Sequence, residues 1–316
     1  MNAMIQEWTV ENEAWGKVRH KPRVSVLIPF LNDDPRRLIA ALDREAGPLR
    51  GAVELVLLDD GTGDDEMAHE ITAAVEALKL PARLIRLLAN EGRAKGRNRL
   101  ARHARGQWLL FLDSDMLPDS PDFLRRYVAL VRESKPAVVF GGFSLDQAPP
   151  RPEHALHRAL AMRSDCAPAA VRGLHPEKYV FTSNLLIRRD VFESEAFDEG
   201  FRGWGWEDVE WGVRVSRRFA IGHIDNPATH LGLDRPEVIA EKYEQSVRNF
   251  ARIAASHPDV VRTYPSYKAA RLMKKAPLRN MWRPALKALA LAGPAPMGLR
   301  TFSMRLYRAA LCAEAV

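Results

Sequence analysis

The sequence predicts an α/β fold, in which a doubly wound, mostly parallel sheet carries helices on both faces and is followed by a helical C-terminal tail. Strand-like and helix-like patterns alternate four times within about the first 115 residues, which is typical of such a sheet. Polar residues follow each predicted strand. Because ligands bind outside the carboxyl ends of parallel strands, a functional site is expected at that edge.

The elements of this fold are predicted from hydrophobic periodicity. Short apolar runs predict buried strands, over 23–30, 53–60, 82–88 and 107–113. Amphipathic patterns between them predict helices, one beginning after Asp33 and Asp34 and the others over 64–78 and 95–104. Beyond Asp119 the alternation weakens, and the expected elements are helices over 121–133 and 155–162 and strands over 137–143 and 180–189.

Composition indicates a globular protein. The chain has 316 residues, of which 47% are hydrophobic and 28% charged, enough for a well-buried core. The first residues lack the order of basic, apolar and small residues found in secretion signals. Cys166 and Cys312 are too few for a disulfide framework and too isolated for a zinc site. A reducing cytoplasm is therefore the expected compartment, with association at the inner face of a membrane as an addition.

The formal net charge is +7, and basic residues concentrate near the C-terminus. The segment 267–308 contains no acid, and its lysines and arginines alternate with apolar residues. This composition suits peripheral contact with an anionic membrane, and it suits equally a helical tail packed on the rest of the chain. A nucleic-acid partner is not expected, because the carboxylates at the strand ends would repel a phosphate backbone.

Two carboxylates follow the fourth predicted strand, in Asp113-Ser114-Asp115. Residues i and i+2 of an extended chain point to the same face, so these carboxylates converge. They repel each other unless a cation lies beside them, and Mn²⁺ or Mg²⁺ would bridge them to a diphosphate. A loop with two solvated acids is the alternative, but the position after a buried strand favours the metal.

Candidate nucleotide-binding residues follow the second and third strands. Asp59 and Asp60 suit an ordinary turn, and a carboxylate here can also accept a hydrogen bond from uracil or ribose. The segment 90–98 places Arg93 and Arg97 near a helix start, where backbone N–H groups favour a phosphate. A solvated basic helix is the alternative for these arginines.

The segment 203–212 combines tryptophans with adjacent acids. Trp204 and Trp206 are flanked by glycines, so their rings are expected to be exposed and to stack on a sugar. Glu207 and Asp208 follow at once, and a carboxylate beside an aromatic wall can act as a general base toward a hydroxyl. The alternative is a core turn with buried tryptophans and outward acids.

One more ligand would complete the site that Asp115 begins. His230 is a candidate because imidazole is an acceptable ligand for Mn²⁺, and His223 is its rival. A lone histidine is more often structural, so the spacing by itself does not decide between these interpretations.

Together these motifs resemble the family-2 glycosyltransferases, which have the GT-A fold. The matching segments are VSVLIPFLN, LVLLDDGTGDD, NEGRAKGRN and FLDSDMLPD. The segment Trp204-Gly-Trp-Glu-Asp208, followed by His230, resembles the acceptor region of galactosyltransferase-like and chondroitin-polymerase-like enzymes. The resemblance covers about residues 22–235. It departs from the family at Thr62-Gly63, where a Ser-Thr or Ser-x-Asp run is more usual, which weakens the base contact.

The resemblance implies an inverting, metal-dependent glycosyltransferase of hexosyltransferase type. It would move a sugar from a UDP-sugar to a hydroxyl of a carbohydrate or lipid-linked acceptor, in polysaccharide or glycoconjugate biosynthesis. Asp208 would be the catalytic base and Glu207 would hold the acceptor beside Trp204 and Trp206. The nucleotide would contact Pro29, Phe30, Asn32, Asp59 or Asp60, Arg93, Arg97 and Asp113. The metal ligands would be Asp113, Asp115 and His230.

The implied organisation has four parts: an N-terminal extension over 1–21, a nucleotide-sugar-binding half over 22–130, an acceptor-binding half over 131–235, and a helical basic region over 236–316. Two other functions compete. A nucleotide-sugar-binding protein without transferase activity would keep the same pocket. A sugar-nucleotide pyrophosphorylase would need a glycine-rich basic loop after the first strand, and this chain has Pro29-Phe-Leu-Asn32 there.

Overall fold

A computed structural model describes residues 7–49, 51–275, 277 and 279–316 of the chain. Its strands alternate with helices in the first half, and helices dominate the second. The strands are β1 (Glu7–Glu11), β2 (Val24–Phe30), β3 (Val53–Asp59), β4 (Ala82–Leu87), β5 (Trp108–Leu112), β6 (Met116–Pro118), β7 (Val138–Phe140), β8 (Phe143–Ser144), β9 (Asn184–Arg188), β10 (Ile221–His223) and β11 (Ala228–His230).

The helices follow the same chain order. They are α1 (Glu13–Gly16), α2 (Arg36–Asp43), α3 (Asp65–Glu76), α4 (Arg93–His103), α5 (Phe123–Glu133), α6 (Ala155–Ser164), α7 (Ala169–Arg172), α8 (Arg189–Ser194), α9 (Glu207–Ser216), α10 (Pro236–Ser256), α11 (Pro258–Val261), α12 (Pro265–Lys275), α13 (Arg279–Leu291) and α14 (Met297–Cys312). Short 3₁₀ turns span Pro152–His154, Pro176–Tyr179 and Ala313–Ala315.

The main sheet has the strand order β1-β4-β3-β2-β5-β9-β7-β10. Its centre, β4-β3-β2-β5, is parallel, and β9 runs antiparallel between β5 and β7. This arrangement confirms the predicted α/β class with a mostly parallel sheet. The central strands are buried on both faces because their residues are almost all apolar. In β3, for example, Leu55 and Leu57 pack into one core cluster and Val56 and Leu58 into the other.

Part of the predicted N-terminal extension belongs to the main sheet. Residues 7–11 form β1, which pairs antiparallel with β4 at the edge of the main sheet. Asn12 then accepts a hydrogen bond from Trp15 N–H at 3.0 Å and caps α1. The same side chain donates to the carbonyls of Leu78 and Leu80, so it ties this segment to the loop before β4. Residues 1–6 of the predicted extension lie outside the described residues.

A second, three-stranded sheet of order β6-β11-β8 lies beside the carboxyl end of β5. Sequence patterns did not predict β6 or β11, because strands of three residues carry too little periodicity. Their antiparallel register aligns His230 with Met116. This pairing brings the chain near 230 back to Asp115 and so shapes one side of the site.

Helices α10 to α14 form the C-terminal region, which was predicted to be helical and basic. α10 and α14 pack on each other and on α6 through a separate apolar cluster that includes Leu156, Ile239, Met304 and Tyr307. α10 also packs against the loop before α9, where Phe250 contacts Trp206. In the part of the chain that is described, no helix is both long enough and apolar enough to cross a bilayer.

Candidate active site

The predicted nucleotide residues at the end of β3 are held by the protein's own loops. Asp60 is buried and accepts hydrogen bonds from Glu91 N–H at 2.8 Å, from Gly92 N–H at 3.1 Å and from the Asn90 amide at 3.0 Å. Burial raises its pKa to about 6, although the backbone bonds oppose the shift. Asp59 instead accepts from Thr62 N–H at 2.8 Å and closes the turn after β3.

The residues predicted at the end of β2 differ in orientation. Phe30 is buried in the main core cluster, so little of its ring is accessible to a nucleoside. Its position follows from alternation along a strand whose inward residues are apolar. Pro29 is half-buried, and Asn32 is exposed with a left-handed φ of 55°. The Asn32 N–H donates to the Thr62 hydroxyl at 3.0 Å, which joins the loops after β2 and β3.

An ionic cluster lies at the amino end of α4. Arg97 is only 2% exposed, and it donates to Asp113 Oδ1 at 3.0 Å and lies 3.6 Å from Glu207 Oε1. Arg93 donates to the same Glu207 oxygen at 2.8 Å and is 4.0 Å from Asp113. α4, β5 and α9 therefore meet through two arginines and two carboxylates. Arg97 Nε and Nη1 are buried without hydrogen-bond partners among the described residues.

Asp115 and His230 meet across the small sheet. His230 Nε2 lies 2.9 Å from Asp115 Oδ2, and the Leu231 N–H donates to the Asp115 carbonyl at 2.9 Å. Burial opposes the charged forms of both groups, but their contact lowers the pKa of Asp115 and raises that of His230. The rival His223 lies elsewhere, against Arg172 at 3.3 Å.

The Asp115 carboxylate occupies the space that a side chain at Gly232 would fill. A Cβ at position 232 would lie 3.0 Å from Asp115 Cγ and would overlap Oδ2. Any larger residue would therefore displace the carboxylate from His230. Lack of side-chain volume, rather than an unusual φ, is the reason for glycine here.

The predicted metal ligands are brought together only in part. Asp115 and His230 are in contact, whereas Asp113 is engaged by Arg97. Within the described ranges, no group of three or more His, Cys, Asp or Glu side chains is arranged to hold an ion. Asp115 Oδ1 is nevertheless buried without a hydrogen-bond partner in that part of the chain. A free carboxylate oxygen beside an imidazole fits a divalent ion that takes its remaining ligands from a diphosphate and water.

Asp208 lies in the first turn of α9 and faces Thr182. Its carboxylate accepts hydrogen bonds from Thr182 N–H at 3.1 Å and from the Thr182 hydroxyl at 3.1 Å. Burial first, and then the adjacent Glu207 charge, raise the pKa of Asp208 to about 6. A carboxylate with that pKa is ionised at neutral pH and still basic enough to take a proton from a hydroxyl in a transition state.

The two tryptophans before Glu207 behave differently from each other. Trp206 is 9% exposed and packs against Phe250 with ring centroids 4.9 Å apart, so the expectation of an exposed ring is wrong here. The C-terminal helices, which the local sequence does not reveal, cover it. Trp204 is half-buried near Tyr243, with centroids 6.2 Å apart. Trp206 has a left-handed φ of 74°, a strained conformation that turns the chain into α9.

The structure also adds residues that the motifs did not indicate. Thr182 fixes the Asp208 carboxylate, Gly232 accommodates Asp115, and Asn249 donates to the Gly205 carbonyl at 2.9 Å to hold the loop before α9. Each is distant in sequence from the residue it supports. Only Gly232 carried a sequence signal, as a glycine two residues after His230.

A mostly parallel sheet whose strand ends carry carboxylates and basic residues, with the half-buried carboxylate of Asp208 beside them, is the arrangement of a glycosyltransferase of the GT-A kind. Residues 25–195, more than half of the chain, match the profile described as glycosyl transferase family 2, and the chain belongs to that family. This confirms the resemblance to family-2 glycosyltransferases found in the sequence.

Among curated relatives, the chain is 29% identical over 230 residues to validoxylamine A glucosyltransferase of Streptomyces hygroscopicus subsp. limoneus, covering 63% of this chain and 49% of that protein. It is 23% identical over 239 residues to the uncharacterized glycosyltransferase YfnE of Bacillus subtilis, covering 61% and 60%. The matched region thus spans about half to three-fifths of the length of these two relatives.

Solved structures share the fold. The mannosyltransferase PcManGT of Pyrobaculum calidifontis, in complex with GDP-Man and Mn²⁺, superposes with a TM-score of 0.58 at 17% identity over 94% of this chain and 88% of that one. S. aureus TarS 1-349 in complex with UDP superposes with a TM-score of 0.51 at 15% identity over 90% and 89%. At these identities the likeness concerns the fold alone.

Proposed function

We propose that this glycosyltransferase transfers a hexose from a UDP-sugar to a hydroxyl acceptor with inversion, and that Asp208 is the base. The observation that carries the proposal is the Asp208 carboxylate, held by Thr182 with a pKa raised to about 6, next to Glu207 in the Arg93–Arg97 cluster. A poised base beside fixed positive charge is the pair that a one-step displacement requires.

The donor diphosphate would lie between the amino end of α4 and the small sheet. Arg93 is half-exposed at one side of this region, and Asp115 and His230 lie at the other. Asp115 and His230 would hold a divalent ion, Mn²⁺ or Mg²⁺, which when bound offsets charge on the leaving diphosphate. The Mn²⁺ in the Pyrobaculum calidifontis complex supports such an ion, and the UDP in the TarS complex supports UDP as the nucleotide.

The chain's own residues would divide the remaining work. Asp208 would accept the proton of the acceptor hydroxyl as that oxygen attacks the anomeric carbon from the face opposite the diphosphate. Glu207, buried against two arginines, would fix Arg93 and Arg97 rather than hold the acceptor directly. The half-buried ring of Trp204 is the better candidate for stacking on an acceptor sugar. Residues 22–130 would thus bind the donor, and residues 131–235 would bind the acceptor.

The C-terminal helices would also place the enzyme near a lipid-linked acceptor. Large apolar side chains are exposed on α12, α13 and α14, namely Leu272, Met281, Trp282, Leu299 and Phe302. They alternate with basic residues in a segment that has no acid, a composition suited to an anionic membrane surface. Flotation with phosphatidylglycerol vesicles at low salt tests this contact, and no binding there would remove it.

A panel of nucleotide sugars, each with Mn²⁺, with Mg²⁺ or with a chelator, tests the transferase. We expect slow hydrolysis of one UDP-sugar that requires the ion, since water can replace the acceptor. Product from a suitable acceptor should have the opposite anomeric configuration, as shown by NMR. Binding without turnover of any donor would instead favour the nucleotide-sugar-binding alternative.

A further inference from the structure

An arginine of the last helix reaches the loop that leads into the proposed base. α14 lies beyond residues 25–195, the part of the chain that matches the family. Its Arg308 guanidinium carbon is 5.0 Å from the centroid of the Trp206 ring and 4.8 Å from that of Tyr243. The cation therefore has aromatic rings against it on α10 and on the 203–206 loop, which is an attractive and orienting environment.

Arg308 has no anionic partner among the described residues. Arg283 of α13, by contrast, lies 2.6 Å from Glu314. The Nε atom of Arg308 is buried and donates no hydrogen bond to any described residue. The same is true of Nε1 of Trp206. A buried N–H donor without an acceptor is costly, unless water or another molecule supplies the acceptor.

The position of this arginine relates it to the acceptor side. Trp206 immediately precedes Glu207 and Asp208, and Glu207 turns to the arginines of α4 while the Trp206 ring turns to α10 and α14. Asp165, at the end of α6, lies within the electrostatic range of Arg308 and of His230. Burial raises the pKa of the Asp165 carboxyl and the charge of Arg308 opposes that shift, but the two side chains form no salt bridge.

A guanidinium whose faces are covered by rings offers the N–H groups along its edge. That edge binds carboxylate and phosphate oxygens, often in pairs. We propose that Arg308, with Trp206 and Tyr243 behind it, recognises an anionic group, a carboxylate or a phosphate, on the acceptor. This deepens and rests on the proposed function, because it makes the acceptor an anionic sugar or a sugar phosphate.

Binding of three matched probes tests the subsite without requiring turnover. Calorimetry on the full chain with UDP and Mn²⁺ would compare methyl β-D-glucuronide and methyl β-D-glucoside 6-phosphate with neutral methyl β-D-glucoside. We expect at least one anionic probe to bind about tenfold more tightly than the neutral one, as a charge-assisted hydrogen bond implies. The two anionic arms distinguish a carboxylate from a phosphate.

Three variants localise the effect. Arg308→Gln should abolish the preference for an anion, and Arg308→Lys should retain part of it because the charge stays. Arg305→Gln changes an exposed arginine of the same helix and should leave the preference intact. Circular dichroism and thermal unfolding would show that each variant is folded.

The results separate this inference from the proposed function. An equal affinity for all three probes, or a preference that survives Arg308→Gln in folded protein, would overturn the anion subsite. Loss of the preference in Arg305→Gln as well would show a general basic field, which also overturns it. Hydrolysis of UDP-sugars by the unchanged chain is scored separately, so a failed transferase and a failed subsite give different outcomes.

Discussion

Replacing Asp208 with asparagine should make the protein more stable at neutral pH while it removes most of the activity. The pKa of Asp208 is raised from 3.8 to about 6, mainly by burial. Each pKa unit corresponds to about 1.4 kcal/mol, so the ionised form costs the folded state up to about 3 kcal/mol. The introduced amide would carry no charge and would still accept from Thr182, and we expect a net gain of about 1–2 kcal/mol.

The sign of the pH dependence follows from the raised pKa. Above pH 6 the carboxylate is ionised in both folded and unfolded chains, and the full penalty applies. Below about pH 4 it is protonated in both states, and no penalty remains. The stability advantage of Asp208→Asn should therefore be largest near pH 7.5 and be smaller by about 1.4 kcal/mol at pH 5, where the ionisation penalty is about half its full value. Urea unfolding at these two pH values measures it.

Activity should change in the opposite direction. Loss of a general base typically costs about 10²–10⁴-fold in rate. Transfer by the unchanged enzyme should increase as the pH rises through about 6, because Asp208 must be ionised, and the residual rate of Asp208→Asn should lack that limb. Glu237→Gln, which alters an exposed carboxylate in the first turn of α10, is the matched control and should change neither property measurably.

Two results would refute this reasoning. If Asp208→Asn were less stable than the unchanged protein at pH 7.5, burial would not be what raises the pKa of this carboxyl. If the variant kept the unchanged turnover, Asp208 would not be the base, whatever its pKa.

Three other substitutions test other parts of the site. Gly232→Ala should lower Mn²⁺ affinity about 10- to 100-fold, as measured by calorimetry with UDP, because the added methyl displaces Asp115. Gly63→Ala, which has open space around the added Cβ, should leave that affinity unchanged. Equal Mn²⁺ affinities for the two variants would disprove the tight fit at Gly232. Arg97→Met should cost about 2–3 kcal/mol in urea unfolding because Asp113 loses its hydrogen-bond donor and Glu207 keeps Arg93 alone. A loss below about 1 kcal/mol would contradict the ionic cluster. Tyr127→Phe removes a buried hydrogen bond to an asparagine of β9 and should cost about 1–3 kcal/mol in the same assay without altering donor hydrolysis.

Much of the donor half could be predicted from the sequence because its signals are local. A run such as 53–59 is apolar throughout most of its length, and a strand covered on both faces accommodates that pattern. Parallel strands with helical crossovers then bring their carboxyl ends to one edge, so the carboxylates after β3 and β5 had to lie near each other. The resemblance to a family with the GT-A fold depended on these same segments.

The tertiary structure decided which side chains meet. Asp115 and His230 are joined by the pairing of two three-residue strands, too short to have a detectable period. Glu207 is buried because two arginines of a distant helix neutralise it, and Trp206 is buried because α10 and α14 cover it. Local periodicity records how much of a residue is covered on average, but it does not record which partner covers it. Partner identity depends on contacts between segments far apart in the chain, and these form only when the whole chain is packed.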